Sequence, residues 1–232
     1  MILDLQPAYV LHSRPYRDSS ALVDLLTLHG GLQRVVWRGA RRGKGIRPQA
    51  FTPLLVALYG RGELKTLKQA EVAGSHVRLQ GEALFSGLYL NELLVRLLSF
   101  GDPQTLLFSA YQTALEQLVG ERSVEPVLRE FEWQLLDLMG YGFSLLHDAQ
   151  DQPLLPSALY LWDAEQGLLR VDREQPGLLP GAGLLAMAVS DWQHPAALHT
   201  AKRLMRKALA VHLGDRPLMS RQLFSVGRDA KS

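Results

Sequence analysis

The chain has 232 residues, a length for one or two domains, with 47% hydrophobic and 21% charged residues; that balance builds a core and excludes global disorder. It contains no cysteine, which excludes disulfides, thiolate metal sites and a cysteine nucleophile. The net charge of +2 conceals an asymmetry: residues 1–77 carry 11 Lys/Arg against 5 Asp/Glu, and the remainder 14 against 18, so the first part suits polyanions and the second packing and protein contacts. Residues 3–14 are strand-like around Tyr9, Val10 and Leu11, and residues 14–19 read as a turn. Ser20 to Thr27 is a second strand, and His29, Gly30 and Gly31 turn the chain into a third over 32–38. A basic loop follows from Gly39 to Gln49. Residues 51–59 and 63–72 are the fourth and fifth strands, with Pro53 marking an edge position and Gly60, Arg61 and Gly62 between them. Five short strands joined by Gly-rich turns predict a small closed barrel.

From about residue 78 the apolar period changes from two to helical spacing. Leu84, Leu88, Leu94 and Leu98 belong to a first helix that stops at Gly101–Asp102–Pro103, and residues 104–119 form a second. Ser123 as N-cap, Pro126 in the first turn and Gly140 past the end bracket a third helix over 124–139. Residues 148–181 are rich in Pro, Gly and Asp, with one short strand at 158–162 that pairs with 168–171. Helices are expected over 184–192, 196–213 and 217–224. The fold class is therefore α+β: residues 1–77 form a five-stranded barrel domain and residues 78–232 a mainly α-helical domain. The N-terminus lacks the pattern of a signal peptide, and no uncharged apolar stretch approaches the ~18 residues of a membrane span.

The cationic run Arg34, Arg38, Arg41, Arg42, Lys44 and Arg47 is the feature most suggestive of function, because no acidic residue lies between Asp24 and Glu63. Glycines at 39, 43 and 45 make it an exposed loop. Like charges on a barrel, with Trp37, Phe51 and Tyr59 near enough to stack on bases, suit a nucleic-acid backbone. A solvated loop is the plainer reading. Residues 196–213 carry Lys202, Arg203, Arg206 and Lys207 beside an apolar stripe, either as a solvated amphipathic helix or as a cationic face for an acidic peptide. Arg129, with Glu130 and Glu132 nearby, reads as a helix ion pair.

No P-loop, GxGxxG, GxSxG or HExxH is present, and the seven histidines lack metal-ligand spacing. The enzyme-class rival is a nuclease or phosphotransferase built on His147, Asp148 and Asp151, a set more often simply solvated.

The segments AYVLHSRPYRDSSALVDLLTLHGG, RGARRGKG, GRGELKTLKQAE, LYLNELLVRLL, LREFEWQLLDLMGYG and AKRLMRKALAVHLGDRPLMSRQLF together resemble the bacterial recombination mediator family RecO over almost the whole chain. The resemblance implies an N-terminal OB-fold, a helical C-terminal domain and a non-enzymatic role in DNA repair and recombination. That role is to bind single- and double-stranded DNA, anneal complementary strands and help RecA load onto DNA coated with single-strand binding protein. It also implies RecR and the acidic C-terminal tail of single-strand binding protein as partners, no membrane, and a cytoplasmic, nucleoid-associated location. Many relatives carry a Cys-rich zinc module after the GYG segment. Here the stretch reads LLHDAQDQPLL, so neither metal nor another cofactor is expected, and residues near 145–175 are a Cys-free remnant. Mapped by resemblance and charge, the DNA-binding candidates are Arg14, Arg17, Arg34, Arg38, Arg41, Arg42, Lys44, Arg47, Lys65 and Lys68. A cationic-apolar groove of Arg129, Leu128, Lys202, Arg203, Leu204 and Arg206 is expected to hold the partner's tail. A scaffold whose basic loop docks acidic proteins is the alternative.

Overall fold

The computed structural model describes residues 4–42, 45–120, 123–173 and 175–223. Five strands, β1 (Gln6–Tyr16), β2 (Ser20–Thr27), β3 (Gly31–Trp37), β4 (Pro53–Tyr59) and β5 (Leu64–Val72), close into a barrel of order β1-β2-β3-β5-β4. All neighbours are antiparallel except β3 and β5, which run parallel, and β1 returns to pair with β4 from Gln6↔Val56 to Tyr9↔Pro53. Every second residue points inward: Ala8 and Val10, Val23 and Leu25, Val35 and Trp37, Leu54 and Val56 make one core. This is the expected OB-type barrel followed by helices.

Two local expectations need correction. Arg14 is not in a turn: β1 continues to Tyr16, with Arg14 opposite Leu22 and Pro15 opposite Ala21. Past the first half of β1 the ladder to β4 has ended, and such an edge tolerates proline. The turn is Arg17–Ser19, with Arg17 at φ 51°. Trp37 and Phe51 are buried at 6% and 4% exposure and are closed to any base.

Helices α1 (Gly81–Leu97) and α2 (Thr105–Val119) pack on each other, and α1 packs on β1. A buried polar bridge ties them to the barrel: Asn91 Nδ2 donates to the Leu11 carbonyl at 3.0 Å, and the Tyr111 hydroxyl donates to Asn91 Oδ1 at 2.6 Å. Burial pushes the Tyr111 hydroxyl well above its ordinary pKa, so it stays a donor. At the chain's end Met219 and Ser220 donate backbone N–H groups to Glu92, and the Ser220 hydroxyl does so at 2.6 Å. Barrel, α1, α2 and this segment form one compact unit; residues 123–216 form the other. The change of period at residue 78 thus falls inside the first unit, because α1 and α2 bury their apolar faces with the barrel.

In the second unit α3 (Val124–Leu136) ends in a wider turn, Asp137–Tyr141, where Gly140 takes φ 81°. Ser123 stands at the N-cap but its side chain makes no capping bond. Strand β6 (Leu159–Asp163) pairs antiparallel with β7 (Gly167–Val171) and β8 (Leu179–Pro180), in the Cys-free stretch where 158–162 is expected to pair with 168–171. Helix α4 spans Gly181–Ala188, earlier than the expected 184–192, since Pro180 starts it and the chain turns at Ser190 (φ 53°). Helix α5 (Ala197–Leu213) buries Ala201, Leu204, Met205, Ala208 and Leu209, packing against α3 and α4. The last helical turn is only 220–223 among the described residues. No helix is long and apolar enough to cross a membrane among the described residues.

Candidate nucleic-acid interface

The basic loop leaves the barrel at Trp37 and is pinned to it at two apolar points. Ala40 is buried in the barrel core, and Ile46 packs against that core. Arg41 N–H donates to the Ser19 carbonyl at 3.0 Å, and Arg42 N–H to Gly39, itself at φ 72°. Gly39 supplies the left-handed conformation the turn requires. Between these anchors Arg41 and Arg42 are exposed, as are Arg38 and Arg47 on either side of them; Lys44 lies outside the described residues. The β1–β2 turn stands beside the loop, with Arg41 Nη1 3.5 Å from the Arg17 carbonyl oxygen. Arg17 covers the Tyr16 ring at 5.3 Å, and Arg14 and Arg17 are exposed. One end of the barrel therefore gathers cations from two segments more than twenty positions apart in sequence.

Lys65 and Lys68 sit on β5, whose start lies against β3 through Arg34↔Leu64 and Val36↔Thr66. Lys68 Nζ is 4.8 Å from the centroid of the Tyr59 ring. Arg61, exposed in the turn between Gly60 and Gly62, joins the same charge distribution; its isolation between two glycines hides it from a search for runs. Among the described residues, Arg34 is the one DNA candidate held by a carboxylate. Its Nε and Nη2 donate to Asp24 at 2.6 and 3.0 Å, and its guanidinium covers the Phe100 ring at 4.6 Å. The hydrogen bond to Asp24 pushes the Arg34 pKa further up, against a burial that lowers it. Arg34 is therefore a structural cation first.

The helical candidates do not assemble as one groove. Leu128 and Leu204 are buried at 5% and 0% exposure, on the faces by which α3 and α5 pack, and cannot line an open surface. Arg129 reaches Glu132 at 2.7 Å, with both side chains largely buried. Lys202 is paired with Glu125 at 2.8 Å. Arg203 is half-buried and Arg206 exposed. Arg129 does line a cavity of about 240 Å³ with Glu130, Trp133, Leu145, Met187 and Trp192; Trp192 Nε1 donates to Glu130 at 2.7 Å. Neither Arg203 nor Arg206 reaches that cavity.

His147, Asp148 and Asp151 lie together on one turn and line a single cavity with Trp162 and Asp163. Asp148 Oδ1 accepts the backbone N–H groups of Gln150 and Gln152 at 2.9 Å, which spends it as a turn cap. Among the described residues no group of three or more His, Asp or Glu is arranged to hold a metal ion.

Residues 1–76 match the family description Recombination protein O N terminal, and residues 78–222 match Recombination protein O C terminal. The chain belongs to the RecO family. It is 54% identical over 219 residues to DNA repair protein RecO of Pseudomonas paraeruginosa, covering 94% of both chains. It is 55% identical to DNA repair protein RecO of Stutzerimonas stutzeri, over 94% of this chain and 92% of that one. The RecO of Pseudomonas putida GB-1 is 53% identical over 94% and 96%. The junction of the two RecO family regions coincides with the change of apolar period after residue 77.

Proposed function

We propose that this RecO-family protein is a recombination mediator whose barrel binds single- and double-stranded DNA by the phosphate backbone. The observation that carries the reading is the cluster of exposed Arg14, Arg17, Arg38, Arg41, Arg42 and Arg47 around one barrel end, in a fold that offers a curved surface to nucleic acid. Arginines at this surface displace condensed counterions, so affinity falls steeply with salt. Contacts to phosphate read no sequence. Two strands neutralised on one surface repel each other less, which promotes annealing of complements. The protein then helps RecA load, with RecR, onto DNA covered by single-strand binding protein. No step calls for covalent chemistry, a cofactor or nucleotide hydrolysis, and the work is done at the nucleoid in the cytoplasm.

The second unit recruits rather than grips DNA. The cleft beside Arg129, whose guanidinium is ion-paired to Glu132, is walled by Trp133, Trp192 and Met187, apolar surfaces that suit the aromatic end of the tail of single-strand binding protein. Arg203 and Arg206 add local positive charge along α5, in a unit whose acidic residues otherwise outnumber its basic ones. Retention on immobilised single-stranded DNA tests the reading: retention that is lost steadily with added salt supports it. Passage at low salt, together with capture of acidic proteins, would favour a scaffold instead.

A further inference from the structure

Three aromatic residues lie near the basic segment in sequence, and the fold separates them. Trp37 and Phe51 are buried, whereas Tyr59 is 63% exposed. Strand register shows where Tyr59 stands. It pairs with Thr66, Thr66 with Val36, Val36 with Leu22 and Leu22 with Arg14. Residues directly opposite each other across a sheet share a face. Arg14, Leu22, Val36, Thr66 and Tyr59 are therefore one outward row running across all five strands, about 19 Å long at the usual strand spacing. On that face of β5, Thr66 is flanked by Leu64, 49% exposed, and by Lys68, whose ammonium lies over the Tyr59 ring. No carboxylate lies in the row, and Asp24, in the neighbouring one, is tied to Arg34.

From this arrangement we infer that Tyr59 is a stacking platform for an unpaired nucleobase, at the far end of a strip that begins at the cationic barrel end. The inference rests on the DNA reading above. The Lys68 ammonium occupies part of the ring and is placed to meet the phosphate beside a stacked base, while the exposed remainder of the ring offers its π surface. Stacking on an aromatic is tolerant of sequence, since every base has a π face. A base inside a duplex is already paired and stacked and cannot reach the ring. Tyr59 therefore favours single strands over duplex, a discrimination the arginines, which meet phosphates in either form, cannot make.

The test is fluorescence anisotropy of a labelled oligothymidylate and of a duplex of equal length, at one fixed salt, with wild type, Tyr59→Ala and Tyr59→Phe. Tyr59→Ala is expected to weaken single-strand binding about tenfold, to leave duplex affinity unchanged, and to leave the salt slope of single-strand binding unchanged; Tyr59→Phe keeps wild-type behaviour. Equal loss on single strand and duplex, or no loss on either, would overturn the stacking role while leaving the basic-loop reading intact. A wild type that binds neither oligonucleotide overturns the DNA reading and this inference with it. Tyr59 is exposed, so an unchanged melting temperature is expected to show that the variants are folded.

Discussion

Replacing Arg34 by glutamine removes the partner of a carboxylate that the barrel has already buried. The Asp24 side chain is 6% exposed and that of Arg34 34%, with bonds of 2.6 and 3.0 Å between them. Breaking a fully buried pair costs about 3–5 kcal/mol, because the remaining charge is left without compensation. Here Arg34 keeps a third of its side chain in water, and that screening reduces the expected loss to about 2–3 kcal/mol. For a chain of this size the melting temperature should fall by about 5–10 °C. Asp24→Asn should cost less, because a partly exposed guanidinium can turn to solvent whereas a buried carboxylate cannot. The assay is thermal unfolding followed by circular dichroism, paired with the salt dependence of single-strand binding. Arg34→Gln is expected to lower stability and leave the slope of log affinity against log salt unchanged. An unchanged melting temperature together with a shallower slope would refute the argument, and would make Arg34 a phosphate contact rather than a tie between β2 and β3.

Further outcomes follow from other contacts. Gly31→Ala places a Cβ 1.7 Å from the Asp102 carbonyl oxygen at a positive φ, so a loss of at least ~3 kcal/mol, read from urea unfolding, is expected; a near-neutral effect would contradict the close approach of the β2–β3 turn to that backbone. Burial pushes the Glu92 carboxyl up, but hydrogen bonds from Ser220 and Met219 and the nearby Arg96 charge outweigh it, so its pKa is held below the ordinary carboxylate value. A depressed folded pKa gives stability that is present above the unfolded value and lost as pH falls through the folded one. Glu92→Gln should therefore flatten the acid limb of stability against pH, and an unaltered limb would show that the bonds to Ser220 and Met219 contribute nothing. Arg203→Glu/Arg206→Glu should weaken binding of an acidic, aromatic-ended peptide about tenfold or more, as loss of charge-assisted contacts does, while DNA binding is spared. Unchanged peptide affinity by calorimetry would discard these two residues from the tail site.

Much of the fold is legible because its signals are local. Alternation around Val23 and Leu25, Val35 and Trp37, and Leu54 and Val56 marks strands, and the glycines between them mark turns. The switch to helical spacing near residue 78 announces α1 and α2. What stays hidden depends on partners distant in sequence. Nothing local says that Arg34 belongs to Asp24, since that pairing exists only through the register of β2 on β3. Leu128 and Leu204 look available on a helical wheel beside their arginines, yet packing between α3 and α5 closes both. Trp37 and Phe51 are indistinguishable from Tyr59 as stacking candidates until the barrel decides which faces solvent. The cluster at the barrel end is half visible: the run from Arg38 to Arg47 stands out by charge, but its meeting with Arg14 and Arg17 is a product of closure.

The central claim is that DNA lies on the basic loop. It is tested most directly by anisotropy of a labelled single-stranded oligonucleotide across a salt series, for wild type and for Arg41→Glu/Arg42→Glu/Lys44→Glu. Each phosphate contact contributes about −0.7 to the slope of log affinity against log salt on a single strand. Removing three should make the slope shallower by about 2, with binding near background at physiological salt. Equal affinity and equal slope for the two proteins would contradict the account and move the DNA site off the loop.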